Sequence, residues 1–326
     1  MMENNYSRHS IIAPYIDGVI KEKRTNGYVY NSEELVLNRF DTYCFEKKLS
    51  TEEITKDFLS EWMERKESEG AHNQGKRISC VRQLLLYMAA CGVKVYIPHD
   101  FCHFKRPLPH IFDPLEIEAF FHEVDSFAPK DSNRIVKRMA AEYRLIFRLY
   151  CCCGLRNSEA AGITTENVDL ESGVLTIINA KGQKDRLVYL SQDLLESCRN
   201  YYHWICEELH TTPKYFFPGM NPDRPVPNTT IDSVFLRYWN RTRYAKCSNR
   251  PTVHDFRFTF VVRRMNLWSE AGLDLQVMMP YLSRYLGHKS IQETFYYYYL
   301  VHDAYQTVEK KDSIASDVIP EVQYYE

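Results

Sequence analysis

Between positions 251 and 299 the chain gathers two imidazoles, a guanidinium and a run of phenols. They are His254 and Arg257 in an H-x-x-R pattern, His288 in Leu-Gly-His-Lys, and Tyr296 to Tyr299. Upstream, Arg156 follows Gly154-Leu155 and precedes Asn157-Ser158-Glu159, and Lys181 stands in Ala-Lys-Gly-Gln-Lys-Asp-Arg. Such a set suits phosphate chemistry. A guanidinium fork holds two oxygens of one phosphodiester and keeps its charge at any working pH. Imidazoles donate to the non-bridging oxygens, a phenol attacks phosphorus, and an ammonium protonates the leaving alkoxide. Glu159, on the same helical face, would brace Arg156. Taken singly, each pattern also fits ordinary structure. Arg156 and Glu159 make a plain ion pair, Lys181 or Lys184 a solvated turn lysine, His254 and His288 helix caps, and the tyrosines aromatic packing.

These residues need a scaffold. Hydrophobic spacing predicts a mainly α fold with a small antiparallel β-sheet, of α+β class. Residues 1–10 read as a flexible terminus, 11–96 as an all-helical unit, 97–109 as a linker, 110–302 as the unit carrying the chemistry and 303–326 as a tail. In the first unit Ile12, Tyr15, Ile16, Val19 and Ile20 share one side of a helix over 11–23. The tetrads at 31–34 (Asn-Ser-Glu-Glu) and 50–53 (Ser-Thr-Glu-Glu) read as capping boxes opening two more. A fourth helix follows Gly70 and Gly75, turns Ile78, Val81, Leu85 and Met88 inward, and stops at Gly92. Three prolines and the pair Lys105-Arg106 break the periodicity in the linker. Beyond it, Asp113-Pro114 opens a helix, and residues 134–152 form a long amphipathic one that Gly154 ends, just before Arg156. Stretches 167–170, 173–178 and 185–190 read as strands, with Lys181 at a hairpin tip. Helices over 193–210, 230–238, 257–270 and 276–286 follow, the last stopping at Gly287 beside His288.

At 326 residues the chain has room for two real cores. It has no run of about 18 apolar residues and its start lacks a signal-peptide pattern, so a cytoplasmic protein with no membrane partner is expected. Ten cysteines with no C-x-x-C pair argue for reduced thiols and against a zinc site. A Walker loop, a G-x-G-x-x-G run and an acidic metal cluster are all absent, so no cofactor is expected. The net charge of −2 argues mildly against a nucleic-acid partner. Its distribution argues the other way: eight Lys/Arg against Asp255 alone over 237–264, and an acidic tail from Asp303 onward. The candidate phosphate-backbone contacts are Lys76, Arg77 and Arg82 in the helical unit, Lys105 and Arg106 in the linker, and Arg241 and Arg243.

In order and spacing, Arg156, Lys181, His254-x-x-Arg257, His288 and the tyrosine run resemble the tyrosine recombinases, the phage-integrase-like enzymes that cut and rejoin DNA. The resemblance covers roughly residues 110 to 300 by motif. The helical unit is similar to an integrase-type, SAM-like core-binding domain in size and class alone. In that family the nucleophile lies nine residues beyond the histidine of Leu-Gly-His, which from His288 gives Tyr297. Tyr296, Tyr298 and Tyr299 crowd that assignment, and Thr294 falls where many relatives carry threonine. Family position favours Lys181, directly before glycine, over Lys184. Phe258 departs from the pattern, because a histidine often follows this arginine.

What the resemblance implies is a site-specific DNA recombinase or integrase. Tyr297 would form a 3′-phosphotyrosyl link, Lys181 would protonate the departing 5′-hydroxyl, and Arg156, His254, Arg257 and His288 would neutralise the transition state, without ATP or metal. Duplex DNA bearing specific recombination sites would sit in a C-shaped clamp. Protomers, monomeric or dimeric when free, would assemble as a tetramer on DNA and pass through a Holliday junction, with the tail packed on a neighbouring protomer. An accessory DNA-bending protein is a further expected partner, and the arm-binding domain of larger integrases is expected to be absent. Two other readings stay open: a type IB topoisomerase-like DNA-relaxing enzyme, and a non-catalytic site-specific DNA-binding regulator.

Overall fold

In a computed structural model of the chain, the residues described are 6–99, 108–129, 133–178, 185–246, 250–288 and 290–298, apart from the Tyr298 side chain. Two compact units divide the chain, Met1–Pro107 and Leu108–Glu326.

The first unit is built on α1 (Ala13–Thr25), α2 (Asn31–Glu46), α3 (Lys56–Met63) and α4 (Ala71–Ala90). Apolar residues at helical spacing converge on one core: Ile16, Val19 and Ile20 from α1, Leu37 and Phe40 from α2, Leu59 and Trp62 from α3, and Leu84, Leu85 and Met88 from α4. Both expected capping boxes are displaced. Tyr30, in left-handed backbone at φ 54°, precedes α2 with no side-chain cap. Helix α3 starts only at Lys56, where the Thr55 hydroxyl accepts from Phe58 N at 3.2 Å. The reason is local: Ile54 forms a parallel bridge with Val95, which holds the backbone just before α3 extended. Helix α4 begins before Gly75 rather than after it.

Arg77 is a further correction. Expected to face a phosphate backbone, it is 6% exposed. Its guanidinium donates to both Glu69 carboxylate oxygens, at 2.8 and 2.7 Å, and to the carbonyls of Trp62 and Glu64. A buried charge is tolerated only when paired, and the α3–α4 connection supplies the pair. Arg77 therefore holds the unit together from inside.

The second unit opens with α5 (Pro114–Ser126), α6 (Arg134–Cys153) and the short α7 (Asn157–Ala161). A three-stranded antiparallel sheet follows in the order β1 (Val168–Asp169), β2 (Val174–Ile177), β3 (Arg186–Tyr189), with Val168 opposite Leu175 and Ile177 opposite Arg186. Then come α8 (Gln192–Leu209), α9 (Asn228–Trp239), α10 (Val253–Glu270), α11 (Leu275–Leu286) and α12 (Ile291–Tyr298). The main core is aromatic, with Phe120, Phe147, Phe235 and Phe256 buried together. A second cluster joins α10, α11 and α12 through Val261, Met265, Met279, Leu282, Leu286 and Tyr297. The mainly helical fold with one small antiparallel sheet matches the expectation from spacing. Among the described residues no helix is long and apolar enough to cross a membrane.

Candidate active site

Three chain segments meet at the carboxyl end of α11. The first is the turn after α6. Gly154 ends that helix in left-handed backbone at φ 61°, and a Cβ there would lie 2.6 Å from the Phe260 ring. The chain then buries Leu155 and sets Arg156 at the N-cap of α7. Glu159 turns back on it: its carboxylate accepts from Arg156 N at 2.8 Å and from Arg156 Nη1 at 2.7 Å. The same carboxylate accepts from both Nη atoms of Arg186, at 2.9 and 2.7 Å. Arg186 reaches it from the start of β3.

The second segment is α10. Its start is fixed by Asp255, which accepts from Thr252 N at 2.7 Å and from Thr252 Oγ1 at 3.0 Å. His254 is exposed on the first turn, its ring edge-on to Phe258 at 5.1 Å. Arg257, one turn further, is 1% exposed. Its Nη1 donates to Gly154 O at 2.7 Å and its Nη2 to Leu286 O at 2.7 Å.

The third segment is the end of α11, where Gly287 adopts φ 65° and halts the helix. The last carbonyls of a helix have no partner within it and form its negative pole. Here three consecutive ones each take an arginine: Tyr285 O from Arg186 Nε at 2.8 Å, Leu286 O from Arg257 Nη2 at 2.7 Å, and Gly287 O from Arg156 Nη2 at 3.2 Å. Three cations thus converge on one helix end, with Glu159 as the carboxylate between two of them.

His288 and Tyr297 complete the cluster. Arg257 Nη2 donates to His288 Nε2 at 3.1 Å. A guanidinium only donates, so Nε2 accepts and the ring proton sits on Nδ1, which donates to Thr294 Oγ1 at 2.6 Å. The His288 ring stacks on Tyr297 with centroids 5.8 Å apart and planes at 18°. Phe258 packs against Tyr297 from another side at 5.0 Å. Tyr297 is 5% exposed and lies beside Arg257. Tyr296, by contrast, is 40% exposed.

Electrostatics follow from this crowding. Burial pushes the Glu159 carboxyl up, but hydrogen bonds and charge from Arg186, together with Arg156, hold it down at about 2. Burial, with Arg257 and Arg156 adding to it, depresses His288 to about 3, so the ring is neutral at working pH. Burial and neighbouring Arg156 lower Arg257 to about 10, partly offset by Tyr297, and it stays charged.

The structure therefore brings together Arg156, Glu159, Arg257, His288 and Tyr297, with His254 joined to them through Phe258. Lys181 and its competitor Lys184 lie outside the described residues, as do Lys105, Arg106 and the tail. Lys76 is exposed, and Arg82 commits its Nε to Pro98 O at 2.9 Å. Arg241 and Arg243 are exposed and lie over aromatic rings, 5.5 Å from Phe127 and 4.9 Å from Tyr244 respectively. Sequence reasoning missed Arg186. The signal was present: strict alternation in β3 turns Arg186 to the same buried face as Val188, and an inward-facing arginine requires a partner. It also read Thr294 as a register marker only, whereas its hydroxyl accepts the His288 Nδ1 proton. Among the described residues no group of three His, Cys, Asp or Glu could hold a metal ion.

Comparison with known proteins bears on the same region. The model of the phage integrase family matches residues 113–304. The protein y4rB of Sinorhizobium fredii, which carries an integrase/recombinase name, is 26% identical over 284 residues, 85% of this chain and 89% of its own length. Tyrosine recombinase XerD of Pseudomonas aeruginosa is 24% identical over 302 residues, 89% of this chain and 92% of its own. In fold, the chain is similar to the Tn1549 transposon integrase solved with circular intermediate DNA, at a TM-score of 0.61 and 16% identity over 91% of this chain and 99% of that one.

Proposed function

The chain belongs to the phage integrase family of tyrosine-type site-specific recombinases, and from that premise we propose that it cuts and rejoins duplex DNA at specific sites with Tyr297 as the nucleophile. The observation carrying this reading is the place of that one phenol: buried, stacked on His288 and beside Arg257, while Tyr296 turns outward.

A phosphodiester resists attack because its charge repels nucleophiles and its alkoxide leaves poorly. The cluster answers both obstacles. Arg156 spends donors on Glu159 and Gly287, and a guanidinium carries five N–H groups, so others face an incoming phosphate. Arg257, beside the phenol, would offset the negative charge that builds on the phosphoryl oxygens. The phenolate oxygen attacks phosphorus, the bond to the 5′ oxygen breaks, and that oxygen takes a proton from Lys181. The resulting 3′-phosphotyrosyl bond conserves the energy needed for rejoining. His254 would donate to a non-bridging oxygen, and His288 would do so once its proton moves from Nδ1 to Nε2, the nitrogen that now accepts from Arg257. Four protomers on two sites would exchange strands through a Holliday junction.

The test begins by selecting bound duplexes from a random pool to find the site. A duplex nicked beside the cleavage point then traps the covalent product. We expect a protein–DNA adduct on the Tyr297 peptide, and none with Tyr297→Phe. An adduct on Tyr296 or Tyr298 would sink the nucleophile assignment. Binding without cleavage would make the chain a regulator, and relaxation of site-free supercoiled plasmid would make it a topoisomerase.

A further inference from the structure

A cavity of about 440 Å³ is lined by the end of α6, the end of β3, α10 and α11. Its walls include Phe260, Tyr285, Leu282, Tyr189 and Arg264, together with the exposed Cys152 and the buried Cys153. Three consecutive thiols, Cys151 to Cys153, close α6 immediately before Gly154. Cys152 is exposed, and Cys151 beside it is half-buried.

We propose that Cys152 is a covalent modification site for small disulfides and related soft electrophiles, and that the adduct, seated in this cavity, weakens DNA cleavage. The chemistry needs only a disulfide as co-reactant. The Cys152 thiolate attacks one sulfur, a Cys152–S–S–R bond forms, the original S–S bond breaks, and R–S⁻ departs. The thiol is suited to this. Neighbouring Cys151 lowers its pKa, and Arg148 and Arg263 act in the same direction. Cys151 itself is held protonated by that arrangement. It cannot resolve the adduct internally while α6 stays helical. Adjacent Cα atoms stand only about 3.8 Å apart, below the roughly 4.4 Å a disulfide requires. The adduct therefore persists until an external thiol removes it.

Coupling to the active site runs through two cavity walls. Phe260 packs on Gly154, whose carbonyl accepts from Arg257. Tyr285 stacks on Phe260 at 5.7 Å, donates its hydroxyl to Cys153 O at 3.2 Å, and offers its own carbonyl to Arg186. A group forced between these rings displaces the backbone that orients Arg257 and Arg186.

The experiment treats the full-length protein with methyl methanethiosulfonate, which adds one S–CH₃ group per thiol, and reads the peptides by mass spectrometry without DNA. We expect Cys152 to be labelled ahead of Cys91 and Cys206, and thermal stability to shift on labelling. With the nicked duplex, labelled wild type should cleave roughly 100-fold more slowly, as expected for a displacement near 1 Å at positioning groups. Dithiothreitol should restore the rate, and Cys152→Ser and Cys152→Ala should cleave normally and ignore the reagent. Preferential labelling elsewhere, or full Cys152 labelling with an unchanged cleavage rate, would overturn the proposal. Because labelling is read without DNA, its failure is distinguishable from a failure of the recombinase reading.

Discussion

Arg186 shows what a single side chain contributes when it never meets the substrate. It is buried, donates twice to Glu159 and once to the end of α11, and so sets the carboxylate that orients Arg156. Breaking such a pair from one side costs about 3–5 kcal/mol, and misplacing a binding group by 1 Å costs roughly 100-fold in rate. Arg186→Met should therefore lower the melting temperature and the cleavage rate while leaving DNA affinity nearly unchanged. A large loss of affinity at equal stability would show that Arg186 touches DNA directly. His288 makes a second prediction, through pH. Its folded-state value of about 3 lies below the ordinary 6.5, so folding favours the neutral ring. The stability this confers is fully present above pH 6.5 and is lost as pH falls toward 3. Glu159, at about 2, begins to lose its contribution only below its ordinary 4.5. Between those two onsets only His288 of this pair titrates, so melting curves of His288→Gln should fall less steeply there than wild type. Parallel curves would contradict the burial argument. The residue types at 156, 257, 288 and 297 were legible from the sequence because each carries chemistry and stands in a local pattern: Arg156 and His288 just after a punctuating glycine, Arg257 in H-x-x-R, Tyr297 in a run. Arg186 was not, because a strand arginine looks the same before its face is known.

At the level of elements, the carboxyl end of α11 is the organising feature. Its orphan carbonyls hold three guanidiniums that would otherwise repel one another, and Gly287 exposes them by stopping the helix in left-handed backbone. Gly287→Ala tests this. A Cβ in that conformation costs about 1–2 kcal/mol, and it would press on the Arg186 side chain at 3.1 Å. We expect a modest fall in melting temperature with a disproportionate fall in cleavage, because the strain lands on the arginine cluster. Cleavage falling only as far as stability does would argue that α11 merely packs. The long helices were readable because their apolar period repeats over several turns, and the sheet because its strands alternate. Helices α7 and α12, five and eight residues long, are too short for a period to declare itself. The tetrad at 50–53 misled because a tertiary contact, Ile54 with Val95, outranked a local capping pattern. What could not be read at all was the meeting of α6, α10 and α11 ends, since no local pattern encodes a helix terminus shared by three partners.

For the molecule as a whole, a net charge of −2 must be reconciled with a polyanionic substrate. The reconciliation is segregation: basic side chains concentrate in particular stretches and acids in others, so local field rather than total charge governs encounter. Salt dependence measures how many of those charges act, because each phosphate neutralised contributes about −0.9 to the slope of log K against log salt for B-DNA. Lys76 and Arg77 give an internal comparison, adjacent in sequence but opposite in burial. Lys76 is exposed, whereas Arg77 is spent on Glu69 and two carbonyls. If Lys76 meets a phosphate, Lys76→Ala should weaken binding uniformly across sequences and make the slope shallower by about 1. Arg77→Ala should instead destabilise the helical unit by about 3–5 kcal/mol, as removal of a buried partner does, and leave the slope of the folded fraction unchanged. Arg241 and Arg243, exposed and laid over aromatic rings, should behave like Lys76. The measurement is binding to one duplex across a salt series, with melting temperature recorded for each variant. Slopes unmoved at Lys76, Arg241 and Arg243 would mean that these cations only solvate the surface and that another face meets the DNA. A slope change at Arg77 without loss of stability would mean that its internal bonds open on binding.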